Sequence, residues 1–278
     1  MIRPYFTRTC GALLLLGAAA LPASVSAQAT VSGSLSFDYN THFISYGADV
    51  WGTGDDLDEP TFNPSVGVTL DFGNGFGVYT GAWMDVNNKA PSDIGGTLQE
   101  LDVWVGGYAT FGIVTLDAAV QQWIYGGDVE EIFDFAVSLD TTDMIGFNLS
   151  PTVKMHHRFE GNGDQITGTI LDFSVGYDLE INESFSLSFP VAVGWVLDEG
   201  YYTATDDSTD PATTIEGDSG IGYYMAGIGF SYALPFGEAA GSWDLHGGVN
   251  YYYTPDDVIP GNPEEGFVTA SLGVGLSW

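Results

Sequence analysis

The sequence predicts an all-β chain, a transmembrane antiparallel up-and-down β-barrel of about twelve strands with short turns at one end and longer acidic loops at the other. Three observations predict it. Apolar and polar residues alternate with period two in twelve segments. The connections between those segments alternate between short and long. Beyond Ala29, no stretch is a continuous apolar run of the ~20 residues that a membrane helix needs.

Taken in chain order, residues 1–27 read as a secretory signal. Arg3 and Arg8 precede a short apolar core, and Val-Ser-Ala places cleavage after Ala27, with Ala29 as the alternative. Residues 28–278 then form a single barrel domain. Cys10 leaves with the signal, which excludes disulfides, cysteine metal sites and thiol catalysis from the mature chain. The same cleavage leaves Lys89, Lys154 and Arg158 against 37 acidic residues. So acidic a surface repels nucleic acid. A hydrophobic content of 45% argues against a disordered acidic chain.

The alternating segments lie near 31–43, 61–72, 76–86, 98–111, 113–125, 132–140, 147–159, 168–179, 185–196, 221–234, 242–253 and 267–278. In the last of them Val268, Ala270, Leu272, Val274, Leu276 and Trp278 alternate with Thr269, Ser271, Gly273, Gly275 and Ser277. Such a strand must lay its apolar face on something. A soluble sandwich turns it inward, and a transmembrane barrel turns it to lipid. The even strand count, the strand lengths and the segregation of long loops to one end favour the barrel. Aromatic residues fall at both ends of the strands, as interfacial girdles require. They are Phe72, Phe76, Phe111, Phe185, Phe236, Trp243 and Trp278 near the short turns, and Phe43, Phe62, Trp195, Tyr251 and Tyr253 near the long loops.

A closing strand that ends on an aromatic residue resembles the C-terminal insertion signal of Gram-negative outer-membrane proteins, with Val274, Leu276 and Trp278 at the matching positions. The opening "SLSFDYNTHFISYGADVW" resembles the TorF-type porins. In that family a first strand runs into an aromatic–x–x–Gly turn with an acidic residue beyond it, matched here by Phe43, Tyr46, Gly47 and Asp49. That family usually carries a basic residue just before the glycine, where Tyr46 stands here. These resemblances imply export through the Sec pathway to the outer membrane. They imply insertion by the barrel-assembly machinery, with outer-membrane lipid and lipopolysaccharide as surroundings.

The polar parity names the candidate lumen residues. The acids are Asp85, Glu100, Asp102, Asp117 and Asp172; the basic residues are Lys154, His156 and Arg158; the aromatics are Tyr79, Trp83, Trp104, Tyr108 and Trp123. Hairpin registers centred on the loops set Asp85 against Glu100, Trp83 and Trp123 against Asp102, Tyr108 against Asp117 and His156 against Asp172. A slip of one residue would reverse every face. The basic strand has two readings, a positive wall that sets a field across a pore or a row of internal ion pairs. The aromatics either fill the lumen or offer a stacking track. The loop acids form a solvated rim or hold Ca²⁺ or Mg²⁺ through oxygen ligands; no metal or cofactor site is assigned.

For function, the first expectation is a channel passing small hydrophilic solutes with cation preference, since carboxylate rings bias a pore. The alternatives are a non-conducting structural or adhesive barrel and an embedded lipid hydrolase. The chain is not expected to be an enzyme. His42 lies near Ser45 and His157 has no nearby serine, and the motifs of outer-membrane phospholipases and lipid A deacylases are absent. The transported solute and the oligomeric state are left open.

Overall fold

In the computed structural model, residues 29–52, 60–162, 165–206, 208, 211–236 and 241–278 are described. The signal expected at 1–27 and the acidic loop residues 53–59, 207 and 209–210 lie outside them. Twelve strands form the wall: β1 Thr30–Asn40, β2 Thr61–Gly73, β3 Phe76–Val86, β4 Leu98–Phe111, β5 Val114–Ile124, β6 Val129–Leu139, β7 Thr152–Glu160, β8 Gly168–Asn182, β9 Phe185–Val196, β10 Gly220–Ala233, β11 Ser242–Tyr253 and β12 Gly266–Ser277. Each pairs antiparallel with its chain neighbours, and β12 pairs back onto β1, so the predicted closed barrel is the observed one.

Closure runs from Ser34 opposite Ser277 to Asn40 opposite Ser271. Beyond that ladder Gly33 and Trp278 exchange both backbone hydrogen bonds, each 3.1 Å. The indole of Trp278 lies over Gly33 and leaves no room there for a side chain. Closure removes the unpaired edge that a membrane would not tolerate. The period-two pattern sorts the faces: on β12, Thr269 is buried in the lumen while Leu272 is exposed on the outside. Val31, Val68, Val78, Phe173, Val191 and Val249 are exposed in the same way, forming the outer apolar band.

Three elements differ from expectation. The link from β6 to β7 spans 140–151, longer than the turn at 141–146 that the sequence implied. Thr141 explains it: its hydroxyl donates to the Phe147 carbonyl and accepts from the Leu149 amide, wrapping the chain round a one-turn helix, α1 Thr142–Ile145. The pattern in 147–151 is therefore apolar loop, and β7 starts at Thr152. Between β7 and β8 the register is two residues from the expected one: Lys154 faces Asp172 and His156 faces Ile170. A shift of two keeps every side chain on its own face and changes only its partner. Phe43, assigned to the outer girdle, packs instead 4.9 Å from Trp83, because β1 ends at Asn40 and alternation ends with it.

The girdles otherwise form paired contacts, Phe76 on Phe111 and Phe236 on Trp243 by the short turns, Phe37 on Phe62 and Tyr224 on Tyr253 by the long loops. Since Trp278 fills the space above Gly33, Gly33→Leu is expected to destabilise the barrel by ~1–3 kcal/mol through overpacking. Urea unfolding of the protein refolded in lipid vesicles measures this. An unchanged midpoint would show that the indole does not rest there.

Candidate functional site

The loop after β1 turns into the barrel. Ile44–Ser45 and Ala48–Asp49 make a two-stranded hairpin whose turn, Tyr46–Gly47, has φ of 49° and 92°. Two consecutive positive φ values give the turn of a tight hairpin, and glycine suits the second position. Tyr46 is unfavourable in that region and needs support from its surroundings. It receives it on every side. Its ring stacks on His156 at 4.0 Å, its hydroxyl accepts from Lys154 Nζ at 2.9 Å, and its carbonyl accepts from the Tyr202 hydroxyl at 2.8 Å.

Two further loops hold this hairpin. Asn262 donates to the Gly47 carbonyl and accepts from the Asp49 amide, both at 2.8 Å. Tyr201, Val258 and Ile259 form an apolar cluster with Ile170 and Val196, against which Tyr46, Ala48 and Tyr202 pack. His42 Nδ1 lies 2.9 Å from Asp49 Oδ2. Burial pushes the Asp49 carboxyl up from its usual range, and the hydrogen bond from His42 works against that. The mouth on the long-loop side is thus filled by a small polar-and-apolar core. Beneath it is a cavity of about 430 Å³ lined by Tyr46, Glu100, Asp102, Trp123, Lys154 and Asp172, among others. Another of about 230 Å³ lies beside it, against His42, Asn63 and Trp83.

The wall below carries the residues singled out by parity. Asp85 pairs with Glu100, Trp83 and Trp123 both pair with Asp102, and Tyr108 pairs with Asp117. Most of these acids are met by neutral donors. Trp51 Nε1 donates to Asp85 at 2.7 Å, the Tyr125 hydroxyl to Glu100 at 3.1 Å, the Tyr79 hydroxyl to Asp117 at 2.6 Å, the Tyr108 hydroxyl to Asp71 at 2.9 Å, and the Tyr223 hydroxyl to Asp172. The basic strand is engaged locally: Arg158 Nε donates to Glu130 at 3.0 Å and His156 Nδ1 lies 2.7 Å from Asp134, both on adjacent β6. Arg158 also lies over the Tyr201 ring, at 4.0 Å. His156 is sandwiched between the rings of Tyr46 and Trp123.

Glycines opposite the lumen rings make this possible. Gly81 faces Trp104, Gly106 faces Tyr79, Gly77 faces Tyr108 and Gly194 faces Tyr223. In each pair the ring lies where a glycine Cβ would stand. Parity alone places these rings in the lumen, but their glycine partners are visible only once the register is known. Glu130 fell outside the expected strand by two residues. Trp51, Tyr201, Tyr202 and Asn262 lie in loops, where no periodicity marks them.

Val274, Leu276 and Trp278 sit on the outer face of β12, with Trp278 exposed. His157, also outward, has Nδ1 2.9 Å from the Thr169 hydroxyl. A serine, a histidine and an aspartate do meet at Ser36, His246 and Asp244, with Ser36 Oγ 3.5 Å from His246 Nε2. Asp38 lies closer to that nitrogen, at 2.7 Å, and also accepts the Ser36 proton at 2.6 Å. The nitrogen a general base would use is therefore occupied. Among the described residues, no three His, Cys, Asp or Glu side chains gather to hold a metal ion.

No family model and no curated protein matches the chain, so the TorF-type resemblance gains no support from them. Solved structures similar to it are closed outer-membrane barrels. They include the KdgM porin (10% identity, 88% of this chain and 99% of that one, TM-score 0.47) and the NanC porin (10%, 88% and 98%, 0.46). A third is the translocator domain of the autotransporter NalP from Neisseria meningitidis (12%, 96% and 94%, 0.43).

Tyr46 ties the hairpin to both His156 and Lys154, so Tyr46→Ala is expected to loosen it while leaving the wall intact. Exchange of the Asp49 amide hydrogen should quicken about tenfold, the equivalent of roughly 1.4 kcal/mol, while β3–β5 amides keep their rates. Equal protection in the variant would mean that Asn262 and the apolar cluster hold the hairpin unaided.

Proposed function

We propose that this protein is an outer-membrane channel for small hydrophilic solutes, with its narrowest point at the inward hairpin and a preference for cations. One observation supports it best. A closed barrel with an apolar exterior encloses a polar, carboxylate-rich interior that holds a cavity of about 430 Å³ under the hairpin. Glu100, Asp102 and Asp172 line that cavity with Lys154 as its one basic lining group, and the Tyr125 and Tyr223 hydroxyls are the neutral donors to Glu100 and Asp172. Such a lining favours cations over anions. In this reading residues 1–27 direct Sec export, Val274, Leu276 and Trp278 present the closing strand to the barrel-assembly machinery, and lipopolysaccharide and lipid surround the outer band. The lumen residues bind and select and do no chemistry. The acidic loops act as a cation-attracting rim.

The filled mouth favours a second reading, a non-conducting structural or adhesive barrel. Planar-bilayer recordings of the folded protein and of a variant lacking residues 44–49 separate the two. Discrete conductance in the wild type, with a reversal potential on the cation side of a KCl gradient, is the expected result. Reversal on the anion side would refute the cation preference. Silence in both proteins would end the channel reading and leave the structural one.

A further inference from the structure

β12 lies between β1 and β11, and on its lumen side two positions are bare. Asp38 of β1 and His246 of β11 both pair with Gly273; Ser36 and Asp244 both pair with Gly275. A Cβ on Gly273 would run into Asp38 Oδ1 and His246 Nε2, and one on Gly275 into Asp244 Oδ1. Side chains from β1 and β11 therefore meet above the strand that separates them, across two inter-strand spacings, about 9–10 Å. His246 completes the span. Its Nε2 lies 2.7 Å from Asp38 Oδ1 and its Nδ1 lies 2.6 Å from Asp244 Oδ2, while Ser36 Oγ donates to the other Asp38 oxygen at 2.6 Å.

Carboxylates only accept, so an imidazole with a carboxylate at each nitrogen satisfies both only when both nitrogens carry hydrogen. The neutral ring turns a lone pair toward one carboxylate and leaves both acids without a counter-charge. On the adjoining strands β2 and β10 no ionisable group shares these rows. β2 offers Asn63 opposite Asp38 and Ser65 opposite Ser36, and β10 offers Ser231 opposite His246 and Ala233 opposite Asp244. The His246 side chain is 30% exposed, so lumen water can exchange its proton. We propose that Asp38, His246 and Asp244 form a proton-dependent clamp across the seam where the barrel closes. The clamp is made while His246 holds both protons and is lost as rising pH removes one.

Thermal unfolding of the full-length folded protein in detergent, followed by circular dichroism, compares wild type with His246→Gln at about pH 5 and about pH 9, on either side of the ordinary imidazole range. The wild type should melt several degrees above the variant at the lower pH, and the gap should close at the higher one. A gap of equal size at both values, or none at about pH 5, overturns the proposal. Nitrogen-15 spectra of the wild-type histidine rings test it without any variant. His246 should carry hydrogen on both nitrogens at about pH 6 and lose one by about pH 9. A neutral ring at about pH 6 overturns the clamp. Neither readout depends on conductance, so the clamp and the channel stand or fall separately.

Discussion

The interior must satisfy many carboxylates with very few cations, and much of its construction answers that constraint. With Lys89, Lys154 and Arg158 as the basic residues of 28–278, ion pairing cannot serve the whole wall. Hydroxyls and ring N–H groups take its place: Tyr79, Tyr108, Tyr125, Tyr223 and Trp51 each donate to a different acid. A hydrogen bond to a charged group contributes ~1.5–3 kcal/mol, and a buried acceptor left without one costs at least as much. Neutral donors differ from cations in one respect: they fix the carboxylate in place without cancelling its charge.

That choice of donor sets the backbone requirement. A tyrosine or tryptophan that reaches across the wall must lie flat over the neighbouring strand, and the residue under it must have no side chain. Hence Gly77, Gly81, Gly106 and Gly194 stand opposite rings in the ladder. At the seam Gly273 and Gly275 serve the same purpose for a histidine and its two acids.

The barrel was legible in the sequence because each strand has an apolar outer face and a polar lumen face, so parity carries the whole assignment. Register was legible wherever the connection is tight or its centre evident, as for Asp85 with Glu100 and Tyr108 with Asp117. It slipped by two between β7 and β8, where residues 159–167 fix no centre by composition. The mouth was not legible. Tyr46 stood out only as a departure from a family pattern, and its partners His156, Lys154, Tyr202 and Asn262 come from four distant stretches of chain. Nothing periodic links them, and only the closed fold brings them together. His246 escaped notice for the same reason: Asp244 is its neighbour on β11, but Asp38 reaches it only across β12.

How an inward hairpin fits a channel depends on what holds it. Its anchors are the Tyr46 stack on His156 and hydrogen bonds to Lys154, Tyr202 and Asn262. Each hydrogen bond that lumen water can replace contributes ~0.5–1.5 kcal/mol net, and the stacked ring adds a similar amount. Against this stands the unfavourable backbone of Tyr46, which opening would relax, at ~1–3 kcal/mol. The midpoints of these ranges leave opening uphill by about 2 kcal/mol before the packing of Tyr46, Ala48 and Tyr202 on the apolar cluster is added, so the open form is a minority. For the proposed channel this balance means that the mouth is shut most of the time and opens without unfolding the wall. A solute that binds the cavity while the hairpin is out would shift the balance by its own differential affinity. In the proposed channel the hairpin would set how often the pore is open, and the carboxylate wall below it would set which charge is favoured.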